Sequence, residues 1–306
     1  MQVFLTGASG LVGSAVARAL KAKGHQVVGL TSKPENTSKL QQLGVEPVVG
    51  DIRDFSSWRD RAAAAEAIIH CAQLNLGRVT ASAQKQTAEA DGKAVELLIE
   101  AASPKCKALV YTSGGWVYGH DPNTVKDETA ATRPFRIVDF KPGNEAKIVA
   151  AAKAQRAPGM VFRPGMVYGT RGPFEELVLR PLSKGKKASY AGNGAQYFSY
   201  IHEDDLARAF VSAIESPKPG EVFNVTDNEP VTAKAIAEEA ARHMSVNKAG
   251  GIPGFMLKLV VGGLVAEPLL HSVRMTNKKF VAATGWQPQF PTYREGTKAL
   301  AATFGK

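Results

Sequence analysis

Short apolar runs alternate with amphipathic stretches along the first two-thirds of the chain. The runs are three to five residues long and lie at residues 3–5, 27–30, 45–49, 67–70, 108–112 and 160–162. Runs of this kind are typical of strands that are buried on both faces of a parallel sheet. Between them, hydrophobic residues recur at helical spacing, as in residues 11–20, which Gly24 closes, and in residues 79–102. The alternation predicts an α/β protein with a Rossmann-type, doubly wound parallel sheet.

The pattern loosens after Arg163, where glycine and proline become frequent and the apolar runs 198–201 and 222–225 are separated by helical segments. We therefore expect a smaller C-terminal lobe beside the main sheet. The predicted nucleotide-binding domain comprises residues 1–168, with residues 195–227 returning to it. The predicted substrate-binding lobe comprises residues 169–194 and 228–306.

Residues 250–270 are mostly apolar, but Pro253, Lys258, Glu267 and Pro268 interrupt them. A spanning helix needs about 20 predominantly apolar residues, so no membrane association is expected. The segment instead predicts a helix that lines a pocket or packs on a core.

Composition and charge narrow the class of protein. Hydrophobic residues make up 44% of the 306 residues and charged residues 22%, which is typical of a globular protein. The net charge of +10 is scattered, and the densest basic cluster, from Lys184 to Lys187, has no aromatic platform, so no nucleic-acid partner is expected. Two cysteines cannot form a disulfide framework, and a strand begins within two residues of Met1; both features favour a cytoplasmic protein.

The strongest local signal is the glycine-rich segment Thr6-Gly7-Ala8-Ser9-Gly10-Leu11-Val12-Gly13. It follows a predicted strand and opens a predicted helix, which is the context that a dinucleotide-binding loop requires. Gly7 allows a sharp turn, Gly10 a close approach of the pyrophosphate, and Gly13 tight packing of helix on strand. The helix N-terminus directs N–H groups and a positive dipole end at the phosphates.

The end of the second strand indicates which nucleotide binds. NAD-binding sites usually carry an acid there, whose carboxylate accepts hydrogen bonds from the ribose. Here the chain has Thr31, Ser32 and Lys33, and Glu35 lies beyond Pro34. Two hydroxyls and an ammonium suit a 2′-phosphate, so we predict NADP(H), although a solvated turn without a role is the alternative.

Further motifs follow in a recognisable order: Val49-Gly50-Asp51-Ile52, Ile69-His70-Cys71-Ala72, Tyr111-Thr112-Ser113, Val117-Tyr118-Gly119, the segment from Arg163 to Gly169, the segment from Tyr200 to Ala207, and Gly285-Trp286-Gln287-Pro288. With the glycine-rich loop, they make the chain resemble the extended short-chain dehydrogenase/reductase family, of the NAD-dependent epimerase/dehydratase type, over nearly its whole length. The resemblance implies cofactor contacts from Asp51, Ile52, Cys71, Ala72, Thr112, Lys141, Pro164, Gly165 and Met166.

The catalytic set that the resemblance implies is a serine or threonine, a tyrosine and a lysine. The serine position holds Gly114, with Ser113 directly before it. The best alignment puts Lys141 at the lysine position, 22 residues before Arg163, and Ile137 at the tyrosine position (163 − 141 = 22). The asparagine that the family often carries on the long helix is replaced by Glu89.

Because isoleucine cannot transfer a proton, two possibilities remain open. Another group could donate the proton: Ser113, Tyr118, Tyr168 or an ordered water, with Lys141 holding the ribose. Alternatively, the protein could bind NADP without redox turnover. The predicted catalytic residues are thus Lys141, Ser113 and Tyr118, and no metal is expected.

The function that we predict is an NADP(H)-dependent oxidoreductase for a small, apolar or aromatic carbonyl, alcohol or activated alkene. The alternative is a non-redox protein on the same fold, such as an NADP-sensing regulator, an isomerase or a cyclase. Residues expected to line the substrate pocket are Trp116, Tyr118, Tyr168, Tyr197, Phe255 and Met256. The family resemblance also implies a possible homodimer through the long helix at 79–102 and the helix after Lys141.

Overall fold

A computed structural model of the chain describes residues 1–73, 79–246 and 248–304. The strands in these residues are β1 (Gln2–Thr6), β2 (Gln26–Thr31), β3 (Glu46–Val49), β4 (Ala67–His70), β5 (Ala108–Thr112), β6 (Gly159–Pro164), β7 (Met166–Tyr168), β8 (Ala188–Ala191), β9 (Tyr197–Phe198), β10 (Tyr200–His202), β11 (Val222–Val225), β12 (Val231–Thr232) and β13 (Ala249–Ile252). The α-helices are α1 (Leu11–Ala22), α2 (Thr37–Gln42), α3 (Arg59–Ala63), α4 (Ala81–Ala101), α5 (Lys141–Lys153), α6 (Arg180–Ser183), α7 (Glu203–Glu215), α8 (Ala233–His243), α9 (Gly254–Val261), α10 (Gly263–Leu269), α11 (Lys278–Thr284) and α12 (Tyr293–Phe304).

Seven strands form one parallel sheet in the order β11-β6-β5-β4-β1-β2-β3. The predicted Rossmann-type α/β fold is therefore confirmed. The strand β1 pairs with β2 on one side and with β4 on the other, so the chain changes direction across the sheet at β1. Ligands of such sheets bind at this switch point, outside the carboxyl ends of the strands.

The apolar runs of the inner strands are continuous because these strands are covered on both faces, whereas the edge strand β3 is only partly buried. Leu5 packs in the core that α1 and α7 complete, whereas its neighbour Phe4 packs in the opposite core, beneath α4 and α5. Successive side chains of a strand point to opposite faces, so both must be apolar here. The two cores hold the carboxyl ends of β1, β4, β5 and β6 in fixed relative positions.

A third core lies in the C-terminal part of the chain. It joins Tyr168 and the π-helical turn Glu175–Leu179 with residues of α8 and α12. Two small sheets, β13 with β8 and β12 with β9, border this core, while β10 pairs with β7. The strand β11 belongs to the main sheet, and α7 packs against α1. The division into residues 1–168 with 195–227, and 169–194 with 228–306, stays a prediction.

The expectation that residues 250–270 line a pocket or pack on a core is wrong for most of α9. Only Leu257 of this helix is buried. Phe255, Met256, Leu259 and Val260 are exposed to 68%, 47%, 72% and 74%. None of the helices in the described residues has the length and apolar character needed to cross a membrane.

Asp227 is a buried acid directly after β11. Its Oδ2 atom has no hydrogen-bond partner among the described residues, and Glu229, Asp205 and Glu295 add negative charge nearby. Burial, reinforced by these acids, raises the pKa of Asp227 to about 8. The folded protein therefore favours the protonated carboxyl.

We expect Asp227→Asn to stabilise the protein strongly at pH 8 and much less at pH 5. A carboxyl whose pKa rises on folding contributes stability below its unfolded pKa, about 4, and that stability is lost as the pH rises through 8. The loss is at most about 5 kcal/mol, and the neutral amide avoids it. Urea unfolding of both proteins from pH 5 to 8 measures the difference. The exposed Asp60→Asn serves as control, and an equal effect of Asp227→Asn at both pH values would contradict the prediction.

Candidate active site

The glycine-rich loop packs tightly against the end of β4. Gly7 has a φ of +69°, and a Cβ atom there would lie 2.7 Å from the Ala72 Cα. A Cβ atom on Gly13 would lie 2.1 Å from the Gly7 carbonyl oxygen. The loop thus has the close backbone packing that a dinucleotide-binding turn requires, and it has room for glycine alone at these two positions.

The first turn of α1 is suited to phosphate. The residue that caps it is Gly10, which offers no side-chain cap, and no acid occupies the first turn. The first N–H groups of a helix have no partner within the helix, so here they can donate to an anion. The residues of this turn therefore fit a pyrophosphate.

Polar side chains meet where β2 ends beside the loop. Asn36 Nδ2 donates to Ser9 Oγ at 3.2 Å and to Thr31 Oγ1 at 3.4 Å. Thr31 is buried, and its hydroxyl also accepts a bond from the Lys33 backbone N–H at 3.3 Å. Ser32 and the Lys33 side chain are exposed. Thr31 thus shapes this edge of the site, and the exposed Ser32 and Lys33 are the groups that a ligand can reach.

Two cations that were not predicted from the sequence, Arg171 and Lys39, lie close to each other beside α1. Arg171 NH1 donates to Ser14 Oγ of α1 at 2.8 Å. Partial burial and the neighbouring Arg171 guanidinium lower the pKa of Lys39. Among the ion pairs of the described residues, none involves Lys33, Lys39 or Arg171. The positive charges of Lys39 and Arg171 repel each other, and an anion bound between them would reduce this repulsion.

Asp51 and Ile52 follow β3, on the side of the loop away from β4. The Asp51 carboxylate accepts a hydrogen bond from Arg53 Nε at 2.9 Å, and this bond holds the pKa of Asp51 below its ordinary value. Trp58 Nε1 donates to the Asp51 carbonyl oxygen at 3.0 Å, and Ile52 packs against the core that contains Trp58. Both residues form a wall beside the end of β2.

A cavity of about 380 Å³ opens at the carboxyl ends of the central strands. It brings together many of the residues predicted for the site: Leu11, Val12, Cys71, Ala72, Thr112, Ser113, Lys141, Pro164, Gly165 and Met166. Ile137, Val138, Trp116, Phe198 and Met275 add apolar surface to it. Gly7, Ser9, Gly10, Gly13, Thr31, Ser32, Lys33, Asp51 and Ile52 lie instead around the loop and the ends of β1, β2 and β3.

Lys141 contributes a buried positive charge to the cavity wall. Its Nζ atom donates to Asp91 Oδ1 at 3.1 Å and to the Thr112 carbonyl oxygen at 3.2 Å. An ammonium has three N–H bonds, so one remains for a ligand. Asp91, a buried acid on the otherwise apolar face of α4, was not predicted from the sequence.

Asp91 is the centre of a larger buried network. It accepts hydrogen bonds from Tyr111 Oη at 2.5 Å and from Asn144 Nδ2 at 2.8 Å, and His70 Nε2 lies 3.6 Å away. Burial by itself raises the pKa of this carboxyl, but Lys141 and the hydrogen bonds outweigh burial and lower it well below its usual range. Asp91 is therefore an anion that holds Lys141 in position.

Ser113 belongs to a second network. Its hydroxyl donates to Glu145 Oε1 at 2.5 Å, and Arg163 Nε donates to the same oxygen at 3.0 Å. The hydroxyl hydrogen of Ser113 is therefore bound to Glu145, and the lone pairs of the hydroxyl oxygen remain able to accept a hydrogen bond. In this arrangement Ser113 presents an acceptor to the cavity.

Tyr118 does not occupy the position predicted for a proton donor. Its Oη atom donates to Asn224 Oδ1 at 2.8 Å and accepts a bond from Arg163 NH1 at 2.8 Å. Burial raises the pKa of Tyr118, and the residue is not part of the cavity wall. The prediction was wrong because Tyr118 turns into the core beside Phe135.

Of the six residues predicted to line the substrate pocket, only Trp116 does so. Tyr168 is fully buried in the C-terminal core, and Arg274 covers the ring of Tyr197. Phe255 and Met256 are exposed on α9. These aromatic and apolar side chains pack in the core or face solvent. Residue type alone therefore did not predict which side chains line the pocket.

Ile137 lines the cavity, four residues before Lys141, where the family resemblance implies a tyrosine (141 − 137 = 4). Val138 lies beside it on the wall. Glu89 faces solvent and lies 3.9 Å from Lys85, so the carboxylate does not enter the site. The position of the missing tyrosine is therefore apolar.

Cys71 lies beside the cavity as a neutral thiol. Burial raises its pKa to about 12, although the Thr112 hydroxyl and the Lys141 charge oppose the shift. A thiolate is the reactive form of cysteine, so Cys71 offers the cavity a neutral side chain and no nucleophile. In the described part of the chain, no group of His, Cys, Asp and Glu side chains is arranged to hold a metal ion.

The model of the NAD dependent epimerase/dehydratase family matches residues 3–226. A 3-diazoavenalumate denitrifying reductase of a Streptomyces species is 28% identical over 97% of this chain and 99% of its own length. A ketoreductase of Stigmatella aurantiaca that acts on 4-hydroxy-2-methyl-3-oxo-4-farnesyl-3,4-dihydroquinoline-1-oxide is 24% identical over 77% of this chain and 71% of its own length.

Solved structures share the architecture. The human epimerase family protein SDR39U1, solved with NADPH, superposes with a TM-score of 0.81 and 25% identity, covering 99% of both chains. The UDP-glucose 4-epimerase of Thermotoga maritima superposes with a TM-score of 0.82 and 20% identity, covering 99% of this chain and 98% of the epimerase. The second likeness concerns the fold alone.

Proposed function

This chain belongs to the NAD dependent epimerase/dehydratase family, and from that premise we propose that it is an NADP(H)-dependent oxidoreductase. Its substrate is a small, mainly apolar carbonyl, alcohol or activated alkene. The observation that carries the proposal is the single cavity that joins the phosphate loop, through Leu11 and Val12, to Lys141 and Ser113.

The choice of NADP(H) rests on charge. Lys33 follows the end of β2, and Lys39 and Arg171 lie close together beside α1. No acid stands at positions 31–33 to accept hydrogen bonds from a ribose. A 2′-phosphate would neutralise cations that repel one another. The similar human protein was solved with NADPH, which agrees with this choice.

When bound, NADP(H) supplies or accepts the hydride. Gly165 and Met166 would flank the nicotinamide, and Trp116, Ile137 and Val138 would hold an apolar substrate and exclude water. The remaining N–H of Lys141 would donate a hydrogen bond, and then its proton, to the substrate oxygen. In the oxidation of an alcohol, the Ser113 oxygen would accept a hydrogen bond from the substrate hydroxyl, and the hydroxyl proton would pass to Lys141 in its neutral amine form, the form that the reduction leaves.

A second candidate function is a non-redox protein, such as an NADP-sensing regulator or an isomerase. Two observations favour it: Ile137 occupies the tyrosine position, and the Ser113 hydrogen is committed to Glu145. A homodimer through α4 and α5 and a cytoplasmic location remain predictions for either function.

Removal of the cations tests the choice of cofactor. We expect Lys39→Gln and Arg171→Gln each to weaken NADPH binding about tenfold, because each loses one charge-assisted contact of the kind that is worth about 1.5–3 kcal/mol in proteins. Lys33→Ala should have a smaller effect, since its exposed ammonium is screened. NADH binding should stay unchanged.

Calorimetric titration and thermal-shift measurements with both nucleotides check these values. Saturation at a hundred times the dissociation constant stabilises a fold by about 2.7 kcal/mol. The exposed Lys23→Gln, at the far end of α1, is the matched control. Equal losses for NADPH and NADH would mean that the cations do not contact a 2′-phosphate.

Restoring the missing tyrosine tests the chemistry. We expect Ile137→Tyr to raise kcat for ketone reduction about tenfold, below the 10²–10⁴-fold typical of an optimised general acid. The new phenol would stand four residues before Lys141 on the cavity wall. Loss of NADPH absorbance with a panel of aromatic and aliphatic ketones, aldehydes and enones measures the rate. Val138→Tyr, also on the wall, should bring no such gain. Tight NADPH binding without turnover in any of these proteins would favour the non-redox function.

A further inference from the structure

The helix α9 presents an apolar surface that the proposed function does not use. Phe255, Met256, Leu259 and Val260 are spaced so that they share one side of the helix, and their exposure ranges from 47% to 74%. A helix on the surface of a globular protein normally turns this side inward. Contiguous exposed apolar surface of this kind marks a place of contact with another phase or molecule.

The segments around α9 are basic. Residues 181–202 and 248–266 contain five lysines and no acid: Lys184, Lys186, Lys187, Lys248 and Lys258. All five are exposed, and none takes part in an ion pair within residues 1–73, 79–246 and 248–304.

The two segments are adjacent in the fold. The strands β8 and β13 pair, with Gly250 opposite Ser189, and a Cβ atom on Gly250 would lie 3.2 Å from Lys187 Nζ. Residues 184–187 and Lys248 precede these two parallel strands, and α9 follows the other end of β13 after Pro253. These lysines and the start of the helix are therefore separated along the small sheet by a strand of four residues, about 13 Å.

On α8, the nearby acids Glu238 and Glu239 are paired with basic residues of the same helix, and Glu267 lies on α10. In the turn Glu175–Leu179 that packs against β8, Glu175 is paired with Arg180 and Glu176 is exposed.

We propose that α9 and the five lysines form a docking surface for an anionic lipid membrane. The helix would lie in the plane of the interface, with its apolar side chains among the acyl chains and the lysines among the headgroups. With eight residues, it is about 12 Å long, too short to span a bilayer and long enough to lie in its surface. Lys258 can reach the headgroups while its methylene chain stays among apolar groups.

Charge argues against a second copy of this chain as the occupant. A symmetric dimer brings the same patch of both subunits together, so the lysines around one α9 would face those around the other. Like charges placed opposite one another oppose association. An anionic lipid surface offers the opposite charge and the apolar phase together.

The test is sedimentation of the full-length protein with vesicles of phosphatidylcholine, and with vesicles of equal parts phosphatidylcholine and phosphatidylserine. We expect binding to the anionic vesicles that weakens in high salt. Each lysine near such a surface strengthens binding about fivefold, so Lys184→Gln/Lys186→Gln/Lys187→Gln should weaken it about hundredfold. Phe255→Ser/Leu259→Ser should abolish it.

Matched control variants carry the same kinds of substitution at other exposed positions, so they show whether the effect depends on where the residues lie. Lys23→Gln/Lys105→Gln/Lys153→Gln removes the same charge from exposed sites elsewhere that form no ion pair within the described residues, and Val125→Ser replaces an apolar residue that is 48% exposed. Both should bind like the unchanged protein. Melting temperatures and NADPH affinities of all variants should match, which keeps this test independent of the proposed function.

Three results would overturn the proposal: absence of binding to anionic vesicles, equal binding to neutral vesicles, or equal losses in the lysine variant and its control. A dimer that Phe255→Ser/Leu259→Ser dissociates, without vesicle binding, would also overturn it and assign α9 to self-association.

Discussion

Replacing Asp91 by asparagine will destabilise the protein by about 3–5 kcal/mol at pH 7. The substitution leaves the Lys141 ammonium buried without its counter-ion, and removal of one partner from a buried pair typically has this cost. The amide also offers one acceptor where the carboxylate serves Tyr111, Asn144 and Lys141. Urea unfolding of the two proteins measures the difference.

The double variant Asp91→Asn/Lys141→Met is the control, because it removes the uncompensated charge. We expect it to recover most of the lost stability, since replacing both members of a buried pair is often neutral. If the double variant is as unstable as Asp91→Asn alone, the ion pair is not the source of the effect.

The same network predicts a dependence on pH. The folded protein lowers the pKa of Asp91, so its contribution to stability is present above the unfolded pKa, about 3.9, and is lost as the pH falls through the lower folded value. The difference between the unchanged protein and Asp91→Asn should therefore be full at pH 7 and shrink below pH 4. A difference that grows on acidification would contradict this assignment.

Gly13→Ala will weaken NADPH binding more than a hundredfold, although it adds a single methyl group. The new Cβ atom would lie 2.1 Å from the Gly7 carbonyl oxygen, so the loop must move away from the position that receives the pyrophosphate. Backbone N–H groups that no longer converge on the phosphates lose several charge-assisted hydrogen bonds at once. Calorimetric titration with NADPH measures the loss.

Gly143→Ala is the matched control, because a Cβ atom there meets nothing within 4 Å and the residue lies inside α5. Alanine in a helix is more favourable than glycine by about 0.5–1 kcal/mol, so this variant should be slightly more stable and should bind NADPH normally. Melting curves without ligand show whether Gly13→Ala is folded. Retention of NADPH affinity within threefold in a folded Gly13→Ala would sink the cofactor assignment.

The fold could be predicted from the sequence because its signals are local. Each buried strand is a short apolar run flanked by turns, and the run at 222–225 also proved to be a strand of the main sheet. The glycine-rich loop is likewise recognisable, because strand, turn and helix follow one another within about a dozen residues. The Ile137 and Lys141 positions came from motif spacing, and both line the cavity.

The errors concern residues whose environment depends on distant segments. Tyr118 looked available, but its hydroxyl meets Arg163 and Asn224, which lie 45 and 106 residues further along the chain (163 − 118 = 45; 224 − 118 = 106). The apolar residues of α9 looked like core, but the fold covers only Leu257. The apolar pattern of a helix shows which of its residues can be buried, but it does not specify whether another part of the protein covers them.

The sequence by itself determined the parallel sheet, the glycine-rich loop after β1 and the absence of an acid at positions 31–33, since periodicity and turn chemistry act within a few residues. Only the tertiary structure brought Arg171 beside Lys39, Asp91 to Lys141, and Glu145 to Ser113. These pairs are 132, 50 and 32 residues apart (171 − 39; 141 − 91; 145 − 113). Electrostatic and hydrogen-bond contacts act over a few ångströms of space, and separation along the chain does not specify which side chains come that close.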